Sequence, residues 1–261
     1  MKAHIAEAVW AFGIDFFAET NYDKSNGIAA QSGFFQEWRL VWTNKTRKGW
    51  WRMKYAGMPM GMWLMFQKSF QKQLTVKFAL TSGQAKQVKR QAKGKYREII
   101  ARMPEFEKGD QFRMNLVNCA MISAFILSMP QRPELSILTE YYRDAMMTPP
   151  MRWFCRISGK KKFSEKDIAA MKKTAQLKAA DRNPYSWNMD YYPYADGSGY
   201  EARFTKCGIC TLMKELGLYD LTPAMCRLDY SMSEAGGASK FVREYTLASG
   251  GPYCDCGYHK R

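Results

Sequence analysis

The sequence predicts an α+β protein in which a mainly helical region, residues 1–182, packs against a C-terminal antiparallel sheet with short helices, residues 183–261. Up to about residue 182, apolar residues recur at helical spacing. Beyond Asn183 and Pro184, apolar and polar residues alternate around glycine turns. With 46% hydrophobic residues in 261, the chain can bury a sizeable core, and we expect one integrated domain.

The first helices are indicated by apolar stripes. Two sets recur at helical spacing: Phe34, Trp38, Val41 and Trp42, and Phe66, Phe70, Leu74 and Phe78. The Met- and Trp-rich segment 58–63 has the flexible side chains of a ligand pocket, but core packing is the commoner reason for such a segment and the one we expect. In the basic segment 86–97 the charged face is predicted to be solvated, opposite an apolar stripe of Val88, Ala92, Tyr96, Ile99 and Met103.

Polar caps and prolines mark the later helices. Asp110 is predicted to cap a helix that runs through the following apolar stretch, and Pro133 to lie in the first turn of the next helix. Pro149 and Pro150 are expected to end that helix. Ser164 is predicted to cap the last helix of the region.

The C-terminal region reads as two hairpins separated by short helices. The first hairpin is predicted over residues 187–204, followed by a helix over 207–216 that a glycine closes. Thr222 and the proline after it begin a second helix. The closing hairpin is predicted to pair residues 241–248 with 253–259 across a Gly-Gly-Pro turn.

Charge and hydropathy narrow the class of partner. The net charge of +16 favours an anionic partner, either nucleic acid, a membrane surface or a small carboxylate. No helix-turn-helix, zinc-finger repeat or RNA-binding aromatic motif accompanies the charge, which disfavours nucleic acid. The longest nearly apolar run, 119–129, is shorter than the ~20 residues of a membrane span, and Glu7 and Asp15 interrupt any secretory signal. We expect a cytoplasmic protein with a small anionic substrate; the sequence carries no signal for an oligomeric state.

Thiols and carboxylates concentrate near the C-terminus. Five of the seven cysteines lie between Cys207 and Cys256, and the odd total in a chain of this size favours free thiols. Only His4 and His259 are available, which argues against a histidine-based mechanism.

Backbone periodicity predicts which of these groups share a face. On a regular strand Cys254 and Cys256 face one side, while Asp255 and His259 face the other, so a local Cys254–His259 pair is disfavoured. Cys226 and Asp229 stand three apart on the predicted second helix and therefore share a face. If Cys254 is a nucleophile, the nearest candidates to activate it are Asp229 and, through its charge, Arg243. Each cysteine has the alternative of being a small buried apolar residue.

A metal site is the second possible use of the thiols. Cys207 and Cys210, in a Cys-x-x-Cys arrangement, together with Cys254 and Cys256 could supply four thiolates to a structural zinc ion. The first pair also lies one helical turn apart, so that both side chains could simply face the core. We expect no required cofactor. Zinc or another divalent metal is the alternative, and a zinc-stabilised basic protein that binds nucleic acid is the corresponding alternative function.

The C-terminal motifs resemble those of the L-2-amino-thiazoline-4-carboxylic acid hydrolase family. The likeness covers about the last sixty residues and is carried by Leu216 and Gly217, by Pro223, Cys226 and Asp229, and above all by Phe241, Arg243, Thr246, Leu247, Gly250, Gly251, Cys254 and Asp255. In the family the residue after the Cys-Asp pair is usually aromatic, whereas this chain has Cys256.

The resemblance implies a hydrolase that opens a carbon–nitrogen bond in a small anionic cyclic amidine, such as 2-amino-thiazoline-4-carboxylate, to give a carbamoyl-cysteine product. The residue types fit, since carboxyl groups can move protons and orient an amidine while water or a thiolate attacks. The candidate catalytic residues are Cys254, Asp255, Asp229 and Cys226, and the candidate substrate-binding residues are Arg243, as carboxylate anchor, and Thr246. A cross-strand salt bridge with Asp or Glu is an equal alternative for Arg243. A non-catalytic binding or sensor protein of the same fold is the alternative.

Overall fold

The computed structural model describes residues 58–106, 110 and 112–261. Within them, helices precede a four-stranded antiparallel sheet, so the predicted α+β class is confirmed. The predicted helical stripe between Phe34 and Trp42 lies outside the described residues.

Six helices form the first part of the described chain. They are α1 Met58–Lys77, α2 Ser82–Arg102, α3 Arg113–Ile126, α4 Leu135–Met146, α5 Pro149–Gly159 and α6 Glu165–Lys178. Helix α3 is buried along nearly its whole length, because its residues are apolar or small on almost every face. Helices α1 and α2 pack against it, and α4 packs against α1.

The predicted stripes of α1 and α2 are confirmed. Phe66, Phe70 and Leu74 are buried on α1, and the Met- and Trp-rich start of that helix packs in the core, as expected. The apolar stripe of α2 is buried beneath its basic outer face. The helix begins with a capping box between Thr81 and Gln84.

Two predicted helix boundaries differ from those of the structure. Asp110 does not cap α3; its carboxylate accepts the N–H of Phe112 and pairs with Lys178. Pro133 precedes the first turn of α4 instead of lying in it. Helix α4 ends at Met146, before Pro149 and Pro150, as predicted, and the two prolines then begin α5, where a proline lacks only an N–H that the first turn leaves unpaired. The predicted cap at Ser164 is confirmed by its bond to the N–H of Asp167, 3.2 Å long.

The sheet contains β1 Asn188–Pro193, β2 Gly199–Lys206, β3 Ser239–Val242 and β4 Cys254–Lys260, in the order β1-β2-β4-β3. All neighbouring strands are antiparallel. The first predicted hairpin is therefore confirmed, as is the short helix after it, α7 Gly208–Glu215, which Gly217 ends at a φ of +67°.

Two C-terminal predictions were wrong in detail. Strand β3 ends at Val242, and residues 243–253 form a connection with a 3₁₀ turn, Leu247–Ser249, instead of a tight hairpin. The second predicted helix is broken into α8 Pro223–Cys226 and α9 Leu228–Gly236. Cys226 and Asp229 therefore do not lie on one continuous helix.

The sheet is covered by helices that also define the space beneath it. Helix α6 packs on β1, while α9 packs on both β3 and α5. The approach of α5 to α9 is so close that a Cβ atom on Gly159 would lie 2.1 Å from the carbonyl oxygen of Gly236. Among the described residues, no helix combines the length and the apolar character that crossing a bilayer requires.

Candidate functional site

A cavity of about 300 Å³ lies between the helices and the inner face of the sheet. Its volume is at the small end of the range of ligand pockets, which suits a small metabolite. Apolar walls include Phe112, Trp187 and Met189. The polar and sulfur-bearing groups of its lining include Asn118, Tyr142, Lys162, Asp167, Cys207, Cys226, Asp229, Arg243, Cys254 and Cys256.

The alternation of side chains along β4 places the residues of the Cys-Asp-Cys segment on opposite faces of the sheet. Cys254 and Cys256 point from β4 into the cavity, as the predicted parity requires. Asp255 faces the other side of the sheet, where its carboxylate accepts the N–H groups of Glu244 (2.9 Å) and Tyr245 (2.6 Å). Asp255 thus fastens the connection after β3 and does not line the cavity. His259 also faces away, and stacks on Tyr194 at 4.6 Å.

Thr246 has a local role in the same connection. Its hydroxyl oxygen accepts the N–H of Ser249 at 3.1 Å and donates to the hydroxyl of that residue at 3.0 Å. It thereby caps the 3₁₀ turn and does not line the cavity. The prediction placed it on a strand, and the early end of β3 is the reason for the difference.

Arg243 and Asp229 form an ion pair in the cavity wall. An Nη1 hydrogen is donated to Asp229 Oδ2 at 2.8 Å, and Nη2 donates to the carbonyl of Cys226. Nη1 also lies 3.6 Å from the sulfur of Cys256, and the guanidinium stands 4.9 Å from the ring of Phe241. Only 5% of the Arg243 side chain is exposed. Against the effect of burial, the charge of Asp229 raises the pKa of Arg243.

Asp229 presents its carboxylate to the cavity. Burial raises the pKa of Asp229 above its ordinary value of 3.8, while Arg243 opposes that rise. Yet 42% of its side chain remains accessible, and because the residue lines the cavity, that surface is available to a bound molecule. A carboxyl group with a raised pKa and an open face is suited to proton transfer.

The cavity thiols are protonated at neutral pH. Burial raises the pKa of Cys226 to about 12 and raises the pKa of Cys256 well above its ordinary value. Burial also raises the pKa of Cys254, although the N–H of Leu247 donates to its sulfur at 3.2 Å. None of these three groups has the lowered pKa of an activated thiolate.

The four cysteines of the zinc alternative do not share a centre. The free thiol of Cys207 is hydrogen-bonded to that of Cys210, and this contact together with burial raises the pKa of Cys207. Cys254 accepts an amide N–H, and Cys256 contacts Arg243. Across residues 58–106, 110 and 112–261, no three His, Cys, Asp or Glu side chains are grouped so that they could hold a metal ion.

Sequence reasoning missed several polar residues of the cavity, among them Asn118 and Lys162. Asn118 donates from Nδ2 to the hydroxyl of Tyr142 at 2.6 Å, while its buried Oδ1 atom has no hydrogen-bond partner within the described part of the chain. Its signal in the sequence was an amide within a mainly apolar stretch of α3. Lys162 gave no such signal, because it is the third of three consecutive lysines.

Comparison with known proteins identifies the family. Residues 114–258 match the family model of L-2-amino-thiazoline-4-carboxylic acid hydrolase, which covers more than half of the chain. The match extends well beyond the last sixty residues and includes Asn118, Lys162, Asp229, Arg243 and Cys254. Neither a curated protein nor a solved structure matches the chain. The protein belongs to the L-2-amino-thiazoline-4-carboxylic acid hydrolase family.

Proposed function

We propose that the protein is a hydrolase that opens the ring of a small anionic cyclic amidine such as 2-amino-thiazoline-4-carboxylate. The observation that carries this proposal is the carboxyl group of Asp229. It faces a cavity of metabolite size, its pKa is raised by burial, and Arg243 holds it at 2.8 Å. Family membership supports the class of reaction.

In the proposed reaction, water adds to the ring carbon between sulfur and nitrogen, which is the electrophilic atom of the amidine. Asp229 accepts a proton from this water and returns a proton to the ring nitrogen. The ring carbon–nitrogen bond then breaks, and the former ring carbon becomes the carbonyl of a carbamoyl group on sulfur. The hydroxyl of the adduct gives up its proton in this step, and the departing nitrogen takes up that proton as an amine. One water molecule is consumed, and no oxidant or reductant is needed.

Water is a better candidate for the nucleophile than a thiol of the cavity. The nucleophile in cysteine chemistry is the thiolate. Because Cys254 and Cys226 both have raised pKa values, their thiolates are scarce at neutral pH. We infer that these two residues shape the cavity and that neither forms a covalent intermediate.

Asn118 offers a partner for the amidine. Among the residues that the structure describes, its buried Oδ1 atom has no partner, and an unpaired buried acceptor is costly. An amidine carries N–H donors that can satisfy this atom. We infer that Asn118 and Asp229 together orient the amidine, while Tyr142 holds the Asn118 amide in place at 2.6 Å.

The test is turnover of 2-amino-thiazoline-4-carboxylate by the wild type and by two variants. Asp229→Asn is expected to lower kcat by about 10² to 10⁴, the usual contribution of a general acid-base group. Cys254→Ser, the matched control in the same cavity, is expected to retain kcat within about tenfold, since a thiol nucleophile would lose far more. Wild-type activity in Asp229→Asn would refute the assignment.

The bond that breaks is tested by thiol titration of the product. Cleavage of the carbon–nitrogen bond leaves the sulfur carbamoylated and releases an amine, whereas cleavage of the carbon–sulfur bond releases a thiol. No new thiol is expected. Binding by the folded wild type without any product would instead favour the binding or sensor alternative.

A further inference from the structure

A second cation, Lys162, lines the cavity with Arg243. It follows α5, and its ammonium donates to the hydroxyl of Tyr200 at 2.9 Å. The same nitrogen stands 3.6 Å from the ring centroid of Tyr258, a cation–π contact. Tyr200 in turn donates to a carboxylate oxygen of Asp167 at 3.2 Å. The ammonium therefore sits at the inner face of the sheet beside two aromatic rings.

The charge of Lys162 is balanced differently from that of Arg243. Arg243 has a carboxylate at 2.8 Å, so a bound anion would have to compete with Asp229. Among the residues that the structure describes, Lys162 takes part in no ion pair, and Asp167 reaches it only through the Tyr200 hydroxyl. An ammonium has three N–H donors; Tyr200 takes one and the face of the Tyr258 ring another, which leaves one for a ligand.

The backbone beside Lys162 is strained. Phe163 has a φ of +65°, a left-handed conformation that is uncommon for a bulky residue without a turn glycine. Its N–H donates to Asp167 at 2.8 Å, and its ring packs edge-on against Tyr200 at 5.5 Å. Such strain persists where surrounding contacts enforce it, and it clusters at ligand sites. Here those contacts fix the turn that carries the ammonium into the cavity.

We propose that Lys162 binds the carboxylate of the substrate and so makes the cavity select small molecules that carry an anionic group. It takes the role that sequence reasoning gave to Arg243, whose charge is already engaged by Asp229. The inference rests on the proposed function for the identity of the substrate, but it concerns binding and does not require turnover.

The other charged and titratable groups around Lys162 leave its charge available. Burial raises the pKa of both Tyr200 and Tyr258, so the two phenols stay neutral. Asp167 is hydrogen-bonded to the cluster through Tyr200, and Asp229 also acts on Tyr258 through its charge. Burial lowers the pKa of Lys162 to about 8, against the attraction of Asp167, so that the ammonium form still predominates at neutral pH.

Calorimetry with two ring probes that cannot undergo the proposed reaction tests the inference. Thiazolidine-4-carboxylate and thiazolidine-4-carboxamide share a ring of similar size, lack the amidine and differ in charge. The wild type is expected to bind the carboxylate at least about tenfold more tightly, the scale of one charge-assisted contact. Lys162→Met is expected to abolish the preference, and Lys162→Arg to keep it. Lys160→Met, a matched control at an exposed lysine, is expected to leave it unchanged.

A wild type that binds both probes equally, or binds neither, would overturn the proposal, as would an unchanged preference in Lys162→Met. If that variant does not fold, NMR of ¹³C-methylated lysines in the wild type gives the answer. The pKa of Lys162 is expected to rise when the carboxylate binds and to stay constant with the carboxamide; no rise refutes the contact. Product formation is judged separately. If the protein prefers the carboxylate probe but forms no product, only the proposed hydrolase function is refuted. If it forms product but does not prefer the carboxylate probe, only the proposed role of Lys162 is refuted.

Discussion

Replacing Arg243 with methionine tests the ion pair on which the proposed chemistry depends. The guanidinium is 5% exposed and bonds to Asp229, so its removal leaves a carboxylate in the cavity wall without its cation. Breaking a fully buried pair costs about 3–5 kcal/mol. Because 42% of the Asp229 side chain stays accessible to the cavity, water can hydrate part of its charge, and we expect a loss of about 3 kcal/mol at pH 7.

The pH dependence of that loss has a definite sign. Without Arg243, the pKa of Asp229 rises further above its ordinary value of 3.8. A carboxyl group whose pKa is higher in the folded state destabilises that state when it is ionised. This loss of stability decreases as the pH falls through the folded-state pKa towards 3.8, because the group becomes protonated. The deficit of Arg243→Met relative to the wild type should therefore shrink between pH 7 and pH 4.

Urea unfolding at several pH values provides the measurement, with the m-value as the check for two-state behaviour. Asp229→Asn alone is expected to cost about 1–2 kcal/mol, because the amide oxygen still accepts from Arg243. The double variant should lose at least about 1 kcal/mol less than the sum of the single losses. Additive losses, or a deficit of Arg243→Met that does not change with pH, would refute the coupling.

Three other predictions concern the second cation, a buried ion network and the packing of two helices. The affinity for thiazolidine-4-carboxylate should fall above pH 8, as Lys162 loses its proton, until it approaches the affinity for the carboxamide, a total loss of about tenfold; calorimetry that finds no pH dependence contradicts this. Lys178→Met should lower the free energy of unfolding in urea by about 3–5 kcal/mol, because Asp110 and Asp181 both lose the cation with which they pair. A loss below about 1 kcal/mol would contradict this. Gly159→Ala should lower Tm, because its Cβ would meet the carbonyl oxygen of Gly236. Gly94→Ala, whose Cβ would enter open space, should raise the free energy of unfolding by about 0.5–1 kcal/mol. Equal effects of the two substitutions would contradict the close packing of α5 and α9.

The parts of the site that follow from backbone periodicity were predictable from the sequence. The two-residue period of a strand correctly separated Cys254 and Cys256 from Asp255, and the helical period identified the buried stripes of α1 and α2. These periods belong to the backbone itself and do not depend on distant contacts. The order of elements followed for the same reason.

The parts that depend on tertiary contacts were not predictable. Arg243 and Thr246 read as strand residues, but the carboxylate of Asp255 draws the chain after β3 into an irregular connection. Phe163 has a positive φ, and because the residue is not a glycine, the sequence gives no local signal of this turn. Lys162 could therefore not be told apart from the solvated lysines beside it.

Hydrogen bonds between polar groups that are distant in the sequence could not be predicted either. Asn118 meets Tyr142 from another helix, and no local pattern encodes that contact. The break between α8 and α9 was also unexpected, since no glycine or proline separates Cys226 from Asp229. Both residues nevertheless line the same cavity, although they do not lie on one helix.

The central claim is that this cavity holds an anionic cyclic amidine with its reacting end at position 229. A crystal structure of the Asp229→Asn protein with 2-amino-thiazoline-4-carboxylate tests it most directly. We predict that the amidine lies within about 3.2 Å of the side chain at position 229 and that the carboxylate accepts from Lys162. A ligand bound outside the cavity, or one whose amidine points away from position 229, would contradict the account.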